Sequence, residues 1–269
     1  TNIKKITVLL MVLGVFTFYA FAGIEWTTSI ITTGKGKAAN KEIDAHNYAQ
    51  GGNVKQTFER VTRDDMFYFN NGYWLYKGDE DTIYIVNDKK RNYMTISMDG
   101  LLQMTGMVGQ MVKIEILNPS IDTEVLPDET LLGFPCTHLK ITTDYTMKMK
   151  ILLIKKTLTI HEVKEVWGAQ VPGLKEINAK FLKKDIKTGI PDLDELIRKQ
   201  MEQQKAIGFP LKMITRTTQM DKKGNPGAEN TYTMTVTKIS PKDFPDSFFE
   251  IPTDYKKEEG PWDATKKIF

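Results

Sequence analysis

The sequence predicts an α+β fold: one large antiparallel sheet, strongly curved, with helices packed on its concave face. Three observations carry this. Runs rich in Thr, Ile, Val and aromatic residues, separated by turn residues, fill most of the chain after residue 22. Helical periodicity is confined to two stretches, and both fall between groups of strands. The strand runs have an apolar face, which must be covered by another layer.

The elements follow in order. Ile24 to Thr33 is a strand, and the Gly-rich stretch from Gly34 to Gly52 is a loop in which Lys41 to Ala49 can pair as an edge strand. Val54 to Val61 alternates in polarity. Met66 to Tyr76 holds two short strands around Asn70-Asn71-Gly72, because Asn and Gly both tolerate the positive φ that a tight hairpin needs. Thr82 to Asn87 and Asn92 to Met98 complete a meander. Asp99-Gly100 can cap a helix reaching about Lys113, with Leu101, Met104, Val108 and Met111 on one face. Pro119 and Pro127 mark a linking region. Four further strands are expected over Cys136 to Thr143, Thr146 to Ile154, Thr157 to Val163 and Glu165 to Ala169. Asp192 to Ala206 is the clearest amphipathic helix, with an acidic first turn that suits the macrodipole and Leu193, Leu196, Ile197 and Met201 on its apolar face. Leu211 to Met220 and Glu229 to Ile239 are the last strands. From Pro252 the charged chain reads as a loose tail.

The first 22 residues read as an export signal. Lys4 and Lys5 form a basic start, Ile6 to Phe18 an apolar run, and Ala20-Phe21-Ala22 a small-x-small cleavage pattern. The run is short for a membrane-spanning helix, which needs roughly 20 apolar residues. An uncleaved N-terminal anchor is the alternative. Gly23-Ile24-Glu25-Trp26 after the pattern offers no cysteine for lipid attachment. The expected organisation is a signal peptide over 1–22, one domain over 23–257 and a charged tail over 258–269, with the domain soluble in the periplasm.

The net charge of +3 includes Lys4 and Lys5, so the chain after the leader is close to neutral and gives no electrostatic case for nucleic acid. Lysines cluster at Lys148, Lys150, Lys155 and Lys156, where a solvated strand face or an edge protected from aggregation is the plain reading. The single cysteine, Cys136, excludes an internal disulfide.

No pattern for nucleophilic catalysis, phosphate cradling or dinucleotide binding is present, and no enzyme, metal or cofactor is expected. His161-Glu162 lacks the second histidine of a zinc protease. Cys136 and His138, two apart on a strand, share a face and are a thiol or metal candidate if a third ligand converges on them. The methionines Met94, Met98, Met104, Met107 and Met111 suit plain core, the lining of a lipid-like cavity, or a copper site.

Three segments carry a resemblance. They are Leu132-Gly133-Phe134-Pro135-Cys136-Thr137-His138-Leu139-Lys140-Ile141, the Trp-centred Glu165 to Gly173, and Phe248-Phe249-Glu250-Ile251-Pro252-Thr253-Asp254-Tyr255-Lys256. Together they resemble uncharacterised exported bacterial proteins related to the lipoprotein-carrier superfamily. The resemblance implies an open half-barrel with helices as a lid over a hydrophobic cavity. The partner expected is a lipid, an acyl chain or a lipidated protein, with transient membrane contact. The residues expected to line the cavity are Leu101, Met104, Val108 and Met111; Leu193, Ile197 and Met201; and Met147, Met149, Tyr232 and Met234. The alternative is an envelope interaction protein with the same fold and a filled core, meeting its partner through a strand edge or the aromatic hairpin Phe67 to Tyr76.

Overall fold

The computed structural model describes residues 23–35, 40–64, 69–97, 112–151, 154–174, 191–221 and 224–260. Twelve strands make one sheet: β1 (Gly23–Thr33), β2 (Lys41–Gln50), β3 (Asn53–Val61), β4 (Gly72–Lys77), β5 (Thr82–Asn87), β6 (Asn92–Ser97), β7 (Val112–Leu131), β8 (Phe134–Ile151), β9 (Ile154–Ala169), β10 (Phe209–Met220), β11 (Pro226–Pro241) and β12 (Lys256–Lys257). The order across the sheet is β12-β6-β5-β4-β3-β2-β1-β11-β10-β9-β8-β7. Every pairing is antiparallel except β12 with β6. One meander runs outward from β1 to β6. The other starts at the opposite edge with β7 and runs inward to β11, which zips onto β1 from Ile24↔Pro241 to Thr33↔Thr231. The sheet is large, curved and unclosed. Register shifts interrupt five of the pairings, and each extra residue bends its strand and sharpens the twist.

Several elements depart from the sequence reading. Lys41 to Ala49 is not an edge: β2 lies between β1 and β3, with Ile43, Ala45, Asn47 and Ala49 alternately buried. The region of Pro119 and Pro127 is not a link but part of β7, a continuous 20-residue strand. Its prolines sit at the register shifts between Leu117 and Ser120 and between Leu126 and Glu129. An edge strand tolerates proline at bulges because no ladder hydrogen bond is lost there. Val112 and Lys113 belong to β7 rather than to a helix, and the rest of the expected helix, from Asp99 to Met111, lies outside the described residues. The four expected strands between Cys136 and Ala169 are two long ones, β8 and β9. Of the two strands expected around Asn70-Asn71-Gly72, the second is β4; the first falls largely outside the described residues, and Phe69 is not in a strand. The tail from Pro252 is held in part: Tyr255 donates to Asp88, Arg91 pairs with Asp254, and β12 adds to the edge of β6.

One α-helix, α1 (Pro191–Lys205), is present among the described residues. Proline at its first position costs no hydrogen bond, Asp192 and Asp194 offset the dipole, and Arg198 ties Glu195 and Glu202 along its exposed side. Gly208, at φ +87°, ends the segment; a Cβ there would lie 2.4 Å from the Ala169 carbonyl oxygen. Gln200 reaches the sheet, donating to Thr143 Oγ1 (3.0 Å) and Glu162 Oε1 (3.3 Å), and Ile207 packs with Leu139, Val166 and Met213.

Both faces of the β2–β6 half are covered by apolar side chains. On one face Tyr73, Leu75 and Val86 pack under a C-terminal strap in which Phe244, Phe248, Phe249 and Ile251 lie against Tyr48, Tyr84 and Tyr93. Its short 3-10 helix (Asp246–Phe249) carries two of these rings, with Phe248 stacked on Phe244 and edge-on to Phe249. The opposite face carries the candidate site.

Candidate functional site

The register defines that opposite face. Ile30 pairs with Ile43 and Met234, Ala45 with Phe58, and Gln56 with Trp74. Partners across an antiparallel ladder point to the same side. Further along the sheet, Tyr232 pairs with Thr215, Thr215 with Lys164, and Lys164 with Ile141. Thr143, which receives the Gln200 hydrogen bond, is therefore on the same face, and α1 approaches the sheet from that side.

Two apolar clusters occupy the face. Ile30, Ile43, Ala45, Phe58 and Val61 form one, with Trp74, Tyr232 and Met234 against it. Tyr76, Ile83, Ile85 and Ile96 form the other, with Val54, Phe69, Trp74 and Met94. Trp74 belongs to both and meets Phe58 edge-on at 6.0 Å. The polar intrusion on this face is satisfied: Asn47 donates to the Trp26 carbonyl and to Thr28 Oγ1, and accepts from Gln56 at 2.7 Å.

The second cluster ends in a cleft of about 600 Å³, within the range of small-molecule sites. Phe69, Ile85 and Met94 form its apolar wall. Asn70, Asn71, Asn87 and Asn92 present amides, Lys89 and Lys90 supply cations, and Asp64 and Glu258 supply carboxylates. Local chain geometry builds this rim. Asn70 stands in for a strand residue: its side chain accepts from the Val61 amide and donates to the Val61 carbonyl, while Asp64 accepts from both Asn70 nitrogens. Asn71 (φ +62°) and Arg91 (φ +54°) adopt the left-handed conformation that brings the β3–β4 and β5–β6 turns together, bonded through Asp88 N to Asn71 O. The cleft thus joins an apolar wall to a rim of amides in which two lysines stand beside two carboxylates.

The residues expected from sequence fall as follows. Leu101, Met104, Val108 and Met111 lie outside the described residues. Tyr232 and Met234 are half-buried beside Ile30 and Phe58. Leu193, Ile197 and Met201 are half-buried on α1, where Leu196 is the fully buried member. Met147 and Met149 are half-buried and pair with Ile116 and Ile114 on β7. Met147 is six residues along β8 from the rank of Tyr232, about 20 Å away along the strands. Met147 and Met149 thus share a face with Tyr232 and Met234 without sharing their patch. Of the residues that form this wall, Met94 is among the methionines expected as core or cavity lining, and Phe69 and Trp74 lie in the aromatic hairpin expected to meet a partner; Phe58 and Ile85 are in neither set. The alternation of β3 and the aromatic run Tyr73-Trp74-Leu75-Tyr76 were the available signals.

The Cys136–His138 pair is a structural element. Cys136 is buried among Trp26, Trp167 and Leu211, donates to the Phe134 carbonyl at 3.4 Å, and burial pushes its thiol up. His138 stacks on Trp167 at 3.9 Å, with Nδ1 3.7 Å from Glu129 and Nε2 3.3 Å from Glu165, the latter off the line of a hydrogen bond. Arg216, hydrogen-bonded at 2.7 Å, holds the Glu165 carboxyl below its usual range against the opposing effect of burial. Among the described residues no cluster of three or more His, Cys, Asp or Glu is placed to hold a metal ion, and no helix is long and apolar enough to cross a membrane.

Comparison with known proteins adds the following. No curated protein matches the sequence. The chain is similar to the Mycobacterium tuberculosis lipoprotein LppX (11% identity, TM-score 0.32, covering 84% of this chain and 90% of that one). It is also similar to a putative outer membrane lipoprotein-sorting protein domain from Vibrio parahaemolyticus (8%, 0.22, 86% and 91%) and to LprF from Mycobacterium bovis (10%, 0.26, 86% and 90%). The model of the family described as Domain of unknown function (DUF4412) matches residues 71–255, well over half of the chain, and the protein belongs to that family.

Proposed function

We propose that this protein is an exported binding protein of the cell envelope that takes up an amphipathic lipid, an acyl chain or a lipidated protein segment. The observation that carries the reading is the continuity of the apolar wall. Trp74 and Phe58 lead through Ile85 and Phe69 into a cleft whose rim holds Lys89 and Lys90. A hydrocarbon chain laid along that wall leaves water at about 25 cal/mol per Å² of apolar surface, while an anionic head meets the lysines and amides. Sequestration of this kind makes and breaks no bond. In this reading the face is the concave side of a half-barrel and α1 is part of its cover. The basic start, apolar run and Ala20-Phe21-Ala22 pattern support delivery to the envelope, with the leader removed.

Native mass spectrometry of the protein purified from its own envelope tests the proposal. The expected result is a bound species of lipid mass, released by organic extraction and much reduced in Trp74→Ala. A protein recovered at its bare mass under gentle conditions, and unable to bind added fatty acid or phospholipid, overturns it.

A further inference from the structure

We propose that the cleft takes a zwitterionic phospholipid whose phosphate carries a primary ammonium, as an ethanolamine head does; this rests on the lipid-binding reading above and narrows it. The chemistry changes in steps along β5 and β6. Ile85 pairs with Met94, and two residues on, about 6.6 Å along the strands, Asn87 pairs with Asn92. Alternation puts both pairs on the same face. All four residues line the cleft, as do Lys89 and Lys90 in the turn that joins the strands. Apolar wall, amides and cations thus follow one another in the order of acyl chain, ester carbonyls and phosphate along a phospholipid. The amides are open to such a ligand. Asn92 is only 9% exposed, yet among the described residues its side chain has no hydrogen-bond partner. A buried amide left unpaired is costly, and an ester carbonyl in the cleft removes that cost. Asn87 accepts from the Lys90 amide through Oδ1, which leaves its NH2 group to donate.

The charges select the head. Lys89 and Lys90 bring cations to the cleft, and Asp64 and Glu258 bring carboxylates. Among the described residues none of the four stands within 4.0 Å of an opposite charge. The order of strands sets the β5–β6 turn between the carboxylates. Glu258 is held beside β6 by its N–H to the Tyr93 carbonyl (2.8 Å), and Asp64 follows β3 on the other side. A purely anionic head satisfies the lysines and leaves both carboxylates against it. A phosphate with an ammonium one ethylene link away meets both signs. Lysine holds phosphate as a point charge, and a primary ammonium donates to carboxylate and amide oxygens together. A quaternary ammonium is held instead by a cage of aromatic rings, whereas the groups around these lysines are amides and carboxylates.

The experiment is calorimetric titration of the purified protein with short-chain phospholipids below their micellar concentration, with ethanolamine, glycerol and choline heads on the same acyl chains. The ethanolamine lipid is expected to bind about tenfold more tightly than either of the others. Glu258→Gln is expected to remove most of its advantage over the glycerol head without weakening the glycerol lipid. If Glu258→Gln were to loosen β12, Asp64→Asn provides the second test, since its side-chain oxygen can still accept from Asn70, with a loss of preference in the same direction. Lys89→Gln with Lys90→Gln should weaken all three lipids. Asn92→Leu should also weaken all three while keeping or raising the melting temperature, because it removes an unpaired buried amide; a lowered melting temperature with binding intact would make Asn92 purely structural and overturn its role here. Equal affinity for the three heads, tighter binding of the glycerol head, or a preference that survives in both folded carboxylate variants overturns the inference and leaves lipid binding itself standing. Binding of none of the lipids overturns the lipid-binding reading and this inference with it. Free phosphoethanolamine that competes at the concentration of the lipid also overturns the inference, in favour of a small polar ligand.

Discussion

Truncating Phe249 to alanine tests whether the C-terminal strap is part of the core. Phe249 is 3% exposed and meets Phe244 and Phe248 edge-on, with ring centroids 5.9 and 5.3 Å away. Its neighbours Tyr73, Leu75 and Val86 belong to β4 and β5, so the ring joins the strap to strands about 170 residues earlier in the chain. Removing a buried phenylalanine ring costs about 3–5 kcal/mol, combining lost transfer energy with the cavity left behind. For a chain of this size that corresponds to a melting temperature lower by about 6–20 °C. Urea denaturation followed by tryptophan fluorescence measures the cost. The neighbouring Phe248→Ala, half-buried, should cost less and serves as the internal comparison. The variant should also bind a hydrophobic dye before it unfolds, because Tyr73 and Val86 lose their cover. A cost below about 1 kcal/mol, in the range of ordinary surface substitutions, would falsify the view that the strap is core.

Other perturbations probe other contacts. Gly168→Ala brings a Cβ to 2.6 Å from both Cγ1 and the carbonyl oxygen of Ile207, so the segment after α1 must move; the urea midpoint should fall by the equivalent of about 1–3 kcal/mol, and an unchanged midpoint would show that Ile207 does not seat there. Glu165 is held below its usual range by Arg216, so its contribution is complete above about pH 4.5 and is lost as pH falls through the lower folded value. Arg216→Gln should flatten that acid limb in a series of urea midpoints, and an unaltered slope would count against the pair. Burial and then the Asp81 hydrogen bond push Tyr76 up to about 12, and burial also raises Tyr73 and Tyr84. Their neutral forms are favoured by the fold, so stability is full below about pH 10 and falls as pH rises toward 12. Phenolate absorbance should then lag the free-tyrosine curve until the protein unfolds; a normal titration in the folded state would refute this.

Elements bounded by turn chemistry were legible. β5 matches its expected bounds to the residue because Asp- and Lys-rich turns flank it on both sides, and β1 differs by one residue at its start and ends as expected at Gly34. The long strands were read as fragments because polar residues in mid-strand resemble turns. Asp144, which interrupts β8, instead pairs across the ladder with His161 at 2.7 Å, so the break is only a hydrated position on a continuous strand. Pro119 and Pro127 misled in the same way, since sequence alone does not say that β7 is an edge. The order of strands was beyond reach: nothing local to Trp26 announces a partner at Ile239. The candidate site is affected most by this: Trp74, Ile85 and Asn70 come together through strand pairings and a turn, whereas the periodicity of a sequence points to helix faces and to single strands such as those of Met147, Met149, Tyr232 and Met234.

The pairing of β1 with β11 has a consequence for biosynthesis. The first strand of the domain waits for the last long one, with more than 200 residues between register partners such as Trp26 and Ile239. A chain emerging N-terminus first exposes one edge of β1 until residue 241 has appeared, and closure of so large a loop is slow. A truncated product therefore cannot shield the open edge of β1. Chains stopped before β11 should be among the most aggregation-prone species this sequence can form.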